Sequence, residues 1–259
     1  MLLSGATKVK SRLRAIWHRG DFPMLMKMLA KGYAYAHWSH QRWLLRTYKR
    51  QEWLPIRHDP EQVVDFAFNG YDGAFAPIQS RHELLELARL VRSSEPTVVL
   101  EVGTARGGTF FVLTQMAQKN ATLVSVDLPG GIGGSGYPAW KEPILCSFAT
   151  GEQSVHLIRA DSHDPQTLTR VRTALRGQRV DLLFIDGDHS YDGVKADFEM
   201  YSPLVRPGGL ICVHDVVPNP HNSAIEVDEF WAEIGGSPDA TVIRDPASLP
   251  GFGIGVVVK

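Results

Sequence analysis

Cysteine and long apolar segments are both scarce in this sequence. Its 259 residues include two cysteines, Cys146 and Cys212, which are too few for the disulfide framework of a small secreted protein. No apolar run approaches the ~20 residues that a helix needs to cross a bilayer. The start, MLLSGATKVKSRLR, has no apolar core followed by a cleavage site. We therefore expect a cytoplasmic protein.

The sequence also lacks a strong net charge, because 27 Lys and Arg nearly balance 28 Asp and Glu. The total does not indicate a polyanionic partner, and no recognisable nucleic-acid-binding motif is present. The two signs are unevenly distributed, however. Residues 1–50 carry 11 Lys and Arg and one acid, Asp21, which makes the N-terminal segment a basic arm on an acidic remainder.

Residues 1–60 have the composition of a basic helical extension. The stretch MLMKMLAKGYAYAHWSHQRWLLRTYKR mixes Met, Leu, Trp and Tyr with Lys and Arg, as amphipathic helices do. One interpretation is that the extension packs on the main domain or on a second copy of the chain, forming a homodimer. The other is a peripheral contact of residues 1–50 with the inner membrane face, with cations toward anionic lipid.

A linker is predicted over residues 61–80, which contain two glycines and a proline. Over residues 81–259, seven short β-rich runs such as TVVLEVG and VDLLFIDGD alternate with helical segments such as HELLELARLVRSS. This alternation predicts a Rossmann-like α/β fold with a mostly parallel sheet that helices cover on both faces. Ligands bind such sheets outside the carboxyl ends of the strands.

A glycine-rich turn follows the first predicted strand, in VVLEVGTARGGTFF. The strand ends at Glu101, and residues 103–108 lead into a helix. Glycine lets the backbone approach a ligand closely, and the helix start offers free N–H groups. The pattern is an incomplete GxGxxG because residue 105 is alanine. Taken alone, it also fits an NAD-binding protein or a tight turn without a ligand.

Acids end the next two predicted strands. Asp127 can accept hydrogen bonds from both ribose hydroxyls of a nucleotide-like cofactor, or it can cap a turn. Asp161 and Ser162 follow the third predicted strand, where they could hydrogen-bond to an adenine amino group. The pair Asp-Ser is also common in ordinary loops. The glycine-rich stretch GGIGGSGYPAW, residues 130–140, is either a lid that turns Tyr137 and Trp140 toward a substrate or a plain mobile loop.

Ionisable side chains concentrate after the fourth and fifth predicted strands, in FIDGDHSY and VHDVV. Asp186, His214 and Asp215 end two neighbouring strands, and His189 lies just beyond the first. Oxygen and imidazole ligands that converge in this way can hold a divalent cation. The alternative is that Asp186 caps the next helix and His214 packs beneath the loop.

In this order the motifs resemble those of class I S-adenosylmethionine (SAM)-dependent methyltransferases. The motifs are Glu101-x-Gly103 with its glycine turn, Asp127, Asp161, IDGDHSY, and PGG followed by LICVHD. The resemblance is narrower to a bacterial group that includes sugar O-methyltransferases of macrolide pathways and cephalosporin-hydroxylase-like proteins. The closing runs ATVIRD and GFGIGVVVK look like the family's final hairpin, whose last strand is antiparallel. NAD-binding Rossmann domains lack that ending, which ranks an NAD-linked oxidoreductase second.

The resemblance implies a SAM-dependent O-methyltransferase that acts on a hydroxyl of a small molecule or glycan. It implies that Asp127 holds the ribose and that Asp161 and Ser162 border the adenine. The other residues that it places at SAM are Gln79, Glu101, Gly103, Thr104, Gly107 and Asp186. A third interpretation is a SAM-fold protein that binds without turnover.

The resemblance also implies the catalytic residues. In metal-dependent relatives an aspartate after strand four and an acidic pair after strand five bind Mg²⁺, and the matching residues here are Asp186, His214 and Asp215. His214 departs from the acidic pattern, so the resemblance does not fix the identity of the metal. The expected cofactor is Mg²⁺ or another divalent cation. In sugar-modifying relatives a histidine three residues after the aspartate is the general base. That position is His189, which acts beside Asp186.

Overall fold

Seven β-strands alternate with helices in the part of the chain that the computed structural model describes, residues 53–130, 136–246 and 251–259. The strands are β1 (Val98–Val102), β2 (Thr122–Asp127), β3 (Ser154–Arg159), β4 (Val180–Ile185), β5 (Val205–His214), β6 (Thr241–Ile243) and β7 (Ile254–Val258). The helices are α1 (Pro60–Gly73), α2 (Arg81–Ser94), α3 (Gly108–Met116), α4 (Glu142–Cys146), α5 (Pro165–Leu175), α6 (Tyr191–Tyr201) and α7 (Val227–Ile234). Short 3₁₀ turns lie at Leu54–Ile56, Ala139–Lys141 and Ser202–Leu204.

The strands form one sheet in the order β3-β2-β1-β4-β5-β7-β6. Strands β1 to β5 pair in parallel, and β7 runs antiparallel to both β5 and β6. The predicted Rossmann-like sheet with an antiparallel last strand is therefore confirmed. The chain reverses its direction of winding between β1 and β4, and this switch point opens a crevice at the carboxyl ends of the strands.

The core lies on both faces of the sheet, as the side chains of β1 show. All five residues of β1 are buried, and successive side chains of a strand point to opposite faces. Val98, Leu100 and Val102 join a core cluster that includes residues of α5, α6 and α7. Elsewhere in the core, aromatic rings associate edge to face, with ring centroids 5.5 Å apart for Trp53 and Phe111 and 5.1 Å apart for Phe111 and Phe148.

The predicted linker over residues 61–80 is wrong, because most of it is the helix α1. Asp59 caps this helix by accepting hydrogen bonds from the backbone N–H groups of Glu61 and Gln62, and Pro60 occupies its first turn. Val63, Val64 and Ala67 are buried at a spacing typical of one helix face. The glycines that suggested a linker lie where the helix kinks and ends.

The N-terminal predictions rest mainly on residues 1–52, which lie outside the described part of the chain. They are the basic helical extension, its membrane contact and its dimer contact, and they stay predictions. The described residues belong to one compact unit, residues 48–259. Within them, no helix combines the length and the apolar character that crossing a membrane requires.

Glu83 joins the start of α2 to the segment that leads into β7. Its Oε2 accepts a hydrogen bond from the backbone N–H of Ser80 at 3.0 Å, which completes a capping box with the Ser80 side chain. Its Oε1 accepts one from the backbone N–H of Gly253 at 2.9 Å. The side chain is fully buried, so both donors depend on it for a partner.

Replacing Glu83 by alanine is expected to lower the free energy of unfolding by about 2–3 kcal/mol, because the partly buried N–H of Ser80 and the buried N–H of Gly253 lose their acceptor. Glu86→Ala is the control on the same helix, where a partly exposed ion pair with Arg89 is worth at most about 0.5 kcal/mol. Urea unfolding of both variants provides the comparison. Equal losses for the two variants would contradict the proposed link to Gly253.

Candidate active site

A cleft of about 560 Å³ lies at the carboxyl ends of the parallel strands. Its floor includes backbone of the turn after β1 and of the segment after β4. The predicted site residues that line it are Gly103, Asp127, Asp161, Ser162, Asp186, His189, His214 and Asp215. Four other predicted residues, Gln79, Glu101, Thr104 and Gly107, are not part of its lining and support the residues that are.

Gly103 brings the glycine turn against the end of β4. Its φ is +90°, and a Cβ at this position would lie 1.9 Å from the carbonyl oxygen of Asp186. Gly107 caps α3 at a φ of +93°, and a Cβ there would lie 2.5 Å from Cδ2 of Leu145. The Gly103 position excludes a side chain, so the backbone itself forms this part of the cleft.

Asp127 holds the glycine turn in place from the end of β2. Its Oδ2 accepts hydrogen bonds from the backbone N–H groups of Thr104 at 2.9 Å and Ala105 at 2.6 Å. Its Oδ1 accepts one from the N–H of Leu128 at 2.7 Å. Burial raises the pKa of Asp127, and these three bonds oppose the rise. Ala105 has a φ of +46°, a strained conformation for alanine that the Asp127 carboxylate stabilises.

Glu101 lies behind the turn with one oxygen free. Thr104 Oγ1 donates to its Oε2 at 2.6 Å and lies 2.6 Å from Oγ of Ser125. Its Oε1 is buried without a hydrogen-bond partner among the described residues. Burial raises the pKa of Glu101 well above its usual value.

Asp186 is oriented by a chain of buried side chains. Gln79 Nε2 donates to Asp186 Oδ2 at 2.5 Å, and Gln79 Oε1 accepts from Thr109 Oγ1 at 3.0 Å. Thr109 lies in the first turn of α3. The predicted cofactor residue Gln79 is therefore a link between that helix and the carboxylate, and Thr109 is a member of the site that the sequence analysis missed.

Two histidines meet two carboxylates at the acidic end of the cleft. His214 Nδ1 lies 3.2 Å from Asp186 Oδ1 and 3.4 Å from Asp215 Oδ1. His189 Nε2 lies 3.3 Å from Asp186 Oδ1, and its Nδ1 lies 3.5 Å from Asp215 Oδ2. Each imidazole therefore spans both carboxylates, and the four groups form one Asp–His cluster.

The carboxylates of this cluster favour the protonated forms of its imidazoles. Burial opposes protonation of His214, but the Asp186 and Asp215 carboxylates outweigh it and raise the pKa of His214 to about 10. The hydrogen bond to Asp186 raises the pKa of His189 against the effect of its burial. Burial acts to raise the pKa of Asp186, yet His214 and His189 together lower it.

His189 is more accessible from the cleft than His214 is. Asp186, His189 and Asp215 each offer a ligand atom, and these three atoms lie within 4.8 Å of one another. The side chain of His189 is 39% exposed, whereas that of His214 is 2% exposed. His214 thus lies beneath the two carboxylates, and His189 lies beside them at the cleft surface.

A second histidine–aspartate pair, which the sequence analysis did not identify, borders Asp161 and Ser162. His163 lines the cleft, and its Nε2 lies 3.3 Å from Oδ1 of the buried Asp197. Burial raises the pKa of Asp197 to about 6. His163 directly follows the motif, so adjacency could have indicated it. Asp197 lies on α6, and no local pattern separates it from a surface aspartate.

Tyr137 does not face a substrate, which corrects one part of the predicted lid. Its ring is fully buried, with the guanidinium of Arg159 5.8 Å from the ring centroid. Arg159 also donates to the Tyr137 carbonyl at 3.1 Å. Residues 131–135 lie outside the described part of the chain, so the lid hypothesis for that segment stays a prediction.

Solved structures share this fold. The O-methyltransferase from Bacillus cereus in complex with S-adenosylhomocysteine (SAH) has a TM-score of 0.56 to this chain. The match covers 82% of this chain and 100% of that one at 17% identity. At such low identity the likeness shows the fold alone.

Replacing Gly103 by alanine is expected to lower the free energy of unfolding by about 2–5 kcal/mol, because a left-handed φ and a clash with the Asp186 carbonyl add together. Gly177→Ala is the matched control, since Gly177 has a φ of +82° and no atom within 4 Å of its added Cβ. It should lose about 1–2 kcal/mol from the backbone conformation alone. Urea unfolding measures both losses, and losses of the same size would rule out the close approach at Gly103.

Curated proteins are similar in sequence to part of this chain. An uncharacterized protein of Acanthamoeba polyphaga mimivirus is 33% identical over 134 residues, which is 52% of this chain and 58% of that protein. The demethylmacrocin O-methyltransferase of Streptomyces fradiae is 31% identical over 88 residues, which is 34% of this chain and 19% of that protein. The chain thus spans less than two thirds of the length of these curated relatives.

A family model described as a methyltransferase domain matches residues 100–216. These residues run from the middle of β1 to just past β5 and contain the glycine turn and the Asp–His cluster. The match and the shared fold confirm the resemblance that the ordered motifs indicated. Residues 100–216 of this chain therefore match a methyltransferase domain, and the described residues have the fold of a solved O-methyltransferase.

Proposed function

We propose that this protein transfers the methyl group of SAM to a hydroxyl oxygen of a small molecule or glycan. The observation that carries the proposal is one cleft that joins the glycine turn and the acids after β2 and β3 to the Asp–His cluster. Its volume of about 560 Å³ is in the range of small-molecule and cofactor sites. Oxygen as the acceptor is supported by the names of the Streptomyces and Bacillus proteins, which are both O-methyltransferases.

The residues of the cleft suit SAM. Gly103 lines the cleft with backbone where the methionyl part of SAM is proposed to lie, and Glu101, with its buried, unpartnered Oε1, supports the glycine turn from behind. Asp127 at the end of β2 is the proposed acceptor for the ribose hydroxyls, and Asp161 and Ser162 border the adenine. When bound, SAM supplies an electrophilic methyl group on a positively charged sulfur.

His189 is the proposed general base. Its ring lies at the cleft surface between the Asp186 and Asp215 carboxylates, which orient it and favour the imidazolium that forms. His189 would accept the proton of the acceptor hydroxyl, and bound SAM would supply its methyl group to that oxygen and leave as SAH. A positioned base of this kind contributes about 10²–10⁴-fold in rate.

Asp186 and Asp215 are the proposed ligands of a divalent cation. Carboxylate oxygens suit Mg²⁺ and Mn²⁺, and the neighbouring imidazoles extend the choice to other transition metals. The donor atoms of the cluster are close enough to share one ion. A bound cation would lower the pKa of the acceptor hydroxyl, while Gln79 and His214 would keep the Asp186 carboxylate in place.

The full-length protein is expected to bind SAM and SAH but not NADH, as measured by isothermal titration calorimetry. Asp127→Ala should weaken SAH binding at least about tenfold, equivalent to 1.4 kcal/mol, because it removes the ribose acceptor and releases the glycine turn. Asp239→Ala, at an exposed aspartate, is the control and should bind as the native protein does. Methyl transfer would be detected as SAH release with a panel of phenols, sugars and glycosides. Absence of SAM and SAH binding by the native protein would overturn the proposal.

His189→Ala should reduce turnover of the best acceptor in that panel by about 10²–10⁴-fold and leave SAH affinity within about twofold. Because His189 is assigned as base and not as ligand, the variant should retain the divalent cation measured by inductively coupled plasma mass spectrometry. Asp215→Ala should lose the cation. If His189→Ala also lost it, the histidine would be a ligand and the base assignment would be wrong.

A further inference from the structure

Lys141 is a buried lysine with no part in the transfer described above. It ends the 3₁₀ turn Ala139–Lys141, outside the lining of the cleft, and is 5% exposed. Its Nζ donates a hydrogen bond to the carbonyl oxygen of Arg106 at 3.2 Å. Arg106 belongs to the glycine turn, so Lys141 contacts that turn directly.

The charge of Lys141 has no carboxylate partner among residues 53–130, 136–246 and 251–259. The adjacent Glu142 pairs with Arg159 instead, at 3.0 Å. The other charges close by are of the same sign, because Arg106 is a cation and the N-terminus of α3 is the positive end of a helix dipole. Burial lowers the pKa of Lys141 to about 8, and the positive charge of Arg106 makes a smaller contribution in the same direction.

A buried ammonium without a carboxylate partner lowers the stability of the fold. Its presence at Lys141 therefore indicates a functional role for the charge. Lysine is almost never fully buried unless it is paired, and a buried ammonium without a counter-charge is strongly unfavourable. An anion bound beside the glycine turn would offset that cost. Methionine at this position would fill a similar volume without the charge.

The packing of the same segment keeps Lys141 close to the turn. Leu145, on the following helix α4, fills the space that a Cβ on Gly107 would need. The backbone carbonyl of Phe148 accepts a hydrogen bond from Nε2 of the buried Gln115 on α3 at 3.0 Å. The segment from Ala139 to Phe148 is thus fixed against the glycine turn and α3, and Lys141 is the cation that it places there.

We propose that Lys141 is a positioning residue whose positive charge favours the carboxylate of the methionyl group of SAM. The proposal rests on the proposed function, which places the methionyl part of SAM along the glycine turn. The carboxylate is the anionic group of the free cofactor, so the effect should be specific to ligands that carry it. The hydrogen bond to Arg106 holds the ammonium at the turn.

The test compares two ligands and two substitutions in the full-length protein. SAH carries the carboxylate, whereas 5′-methylthioadenosine has the same nucleoside and a sulfur but lacks the amino-acid end. Lys141→Met removes both the charge and the hydrogen bond, and Lys141→Gln keeps a donor for Arg106 but removes the charge. Lys119→Met, at an exposed lysine, is the control.

Both Lys141 variants should bind SAH about tenfold more weakly by calorimetry, a change of 1.4 kcal/mol, and bind 5′-methylthioadenosine as the native protein does. Lys141→Met should be at least as resistant to thermal unfolding as the native protein, because a buried unpaired charge is removed. Lys119→Met should change neither affinity.

Two results would overturn this role for Lys141. Equal losses for both ligands would mean that Lys141 merely supports the shape of the turn, and native SAH affinity in Lys141→Gln would mean that the charge has no effect. A native protein that bound neither ligand would instead overturn the proposed function, and this inference with it. The outcomes are distinguishable because 5′-methylthioadenosine reports on the nucleoside site alone.

Discussion

The close approach of β1 and β4 at their carboxyl ends is the constraint on which the site depends. Gly103 permits it, because any Cβ at that position would meet the Asp186 carbonyl at 1.9 Å. This contact brings the backbone that is proposed to receive SAM next to the carboxylate that is proposed to act on the acceptor. Gln79 then holds the Asp186 side chain by a hydrogen bond of 2.5 Å, and Asp127 holds the turn through the N–H groups of Thr104 and Ala105.

Buried charge is distributed unevenly around the cleft. In the Asp–His cluster two carboxylates lie beside two imidazoles, so four ionisable groups share a largely buried site at limited cost. Glu101 and Lys141 have no oppositely charged partner within the described part of the chain. Uncompensated buried groups lower stability, and functional sites are where proteins retain them.

Local patterns predicted some elements wrongly where packing overrides composition. Residues 61–80 contain two glycines and a proline, yet the apolar spacing of Val63, Val64 and Ala67 produces the helix α1 because that face can be buried. Tyr137 looked like a lid residue because it follows a glycine-rich run, yet its ring lies in the core. In both cases the partner that buries the side chain is distant in sequence and leaves no local signal.

The amino-acid sequence by itself determined the alternation of strands and helices, the antiparallel ending and the order of motifs, since these depend on periodicity and on neighbouring residues. It also identified Asp186, His189, His214 and Asp215, because polar residues at the ends of parallel strands meet at one edge of the sheet. The tertiary structure alone decided which histidine faces the cleft, that Gln79 and Thr109 orient Asp186, and that Lys141 is buried without a counter-charge. These are matters of distance and burial between segments far apart in the chain, and they take definite values only when the chain packs.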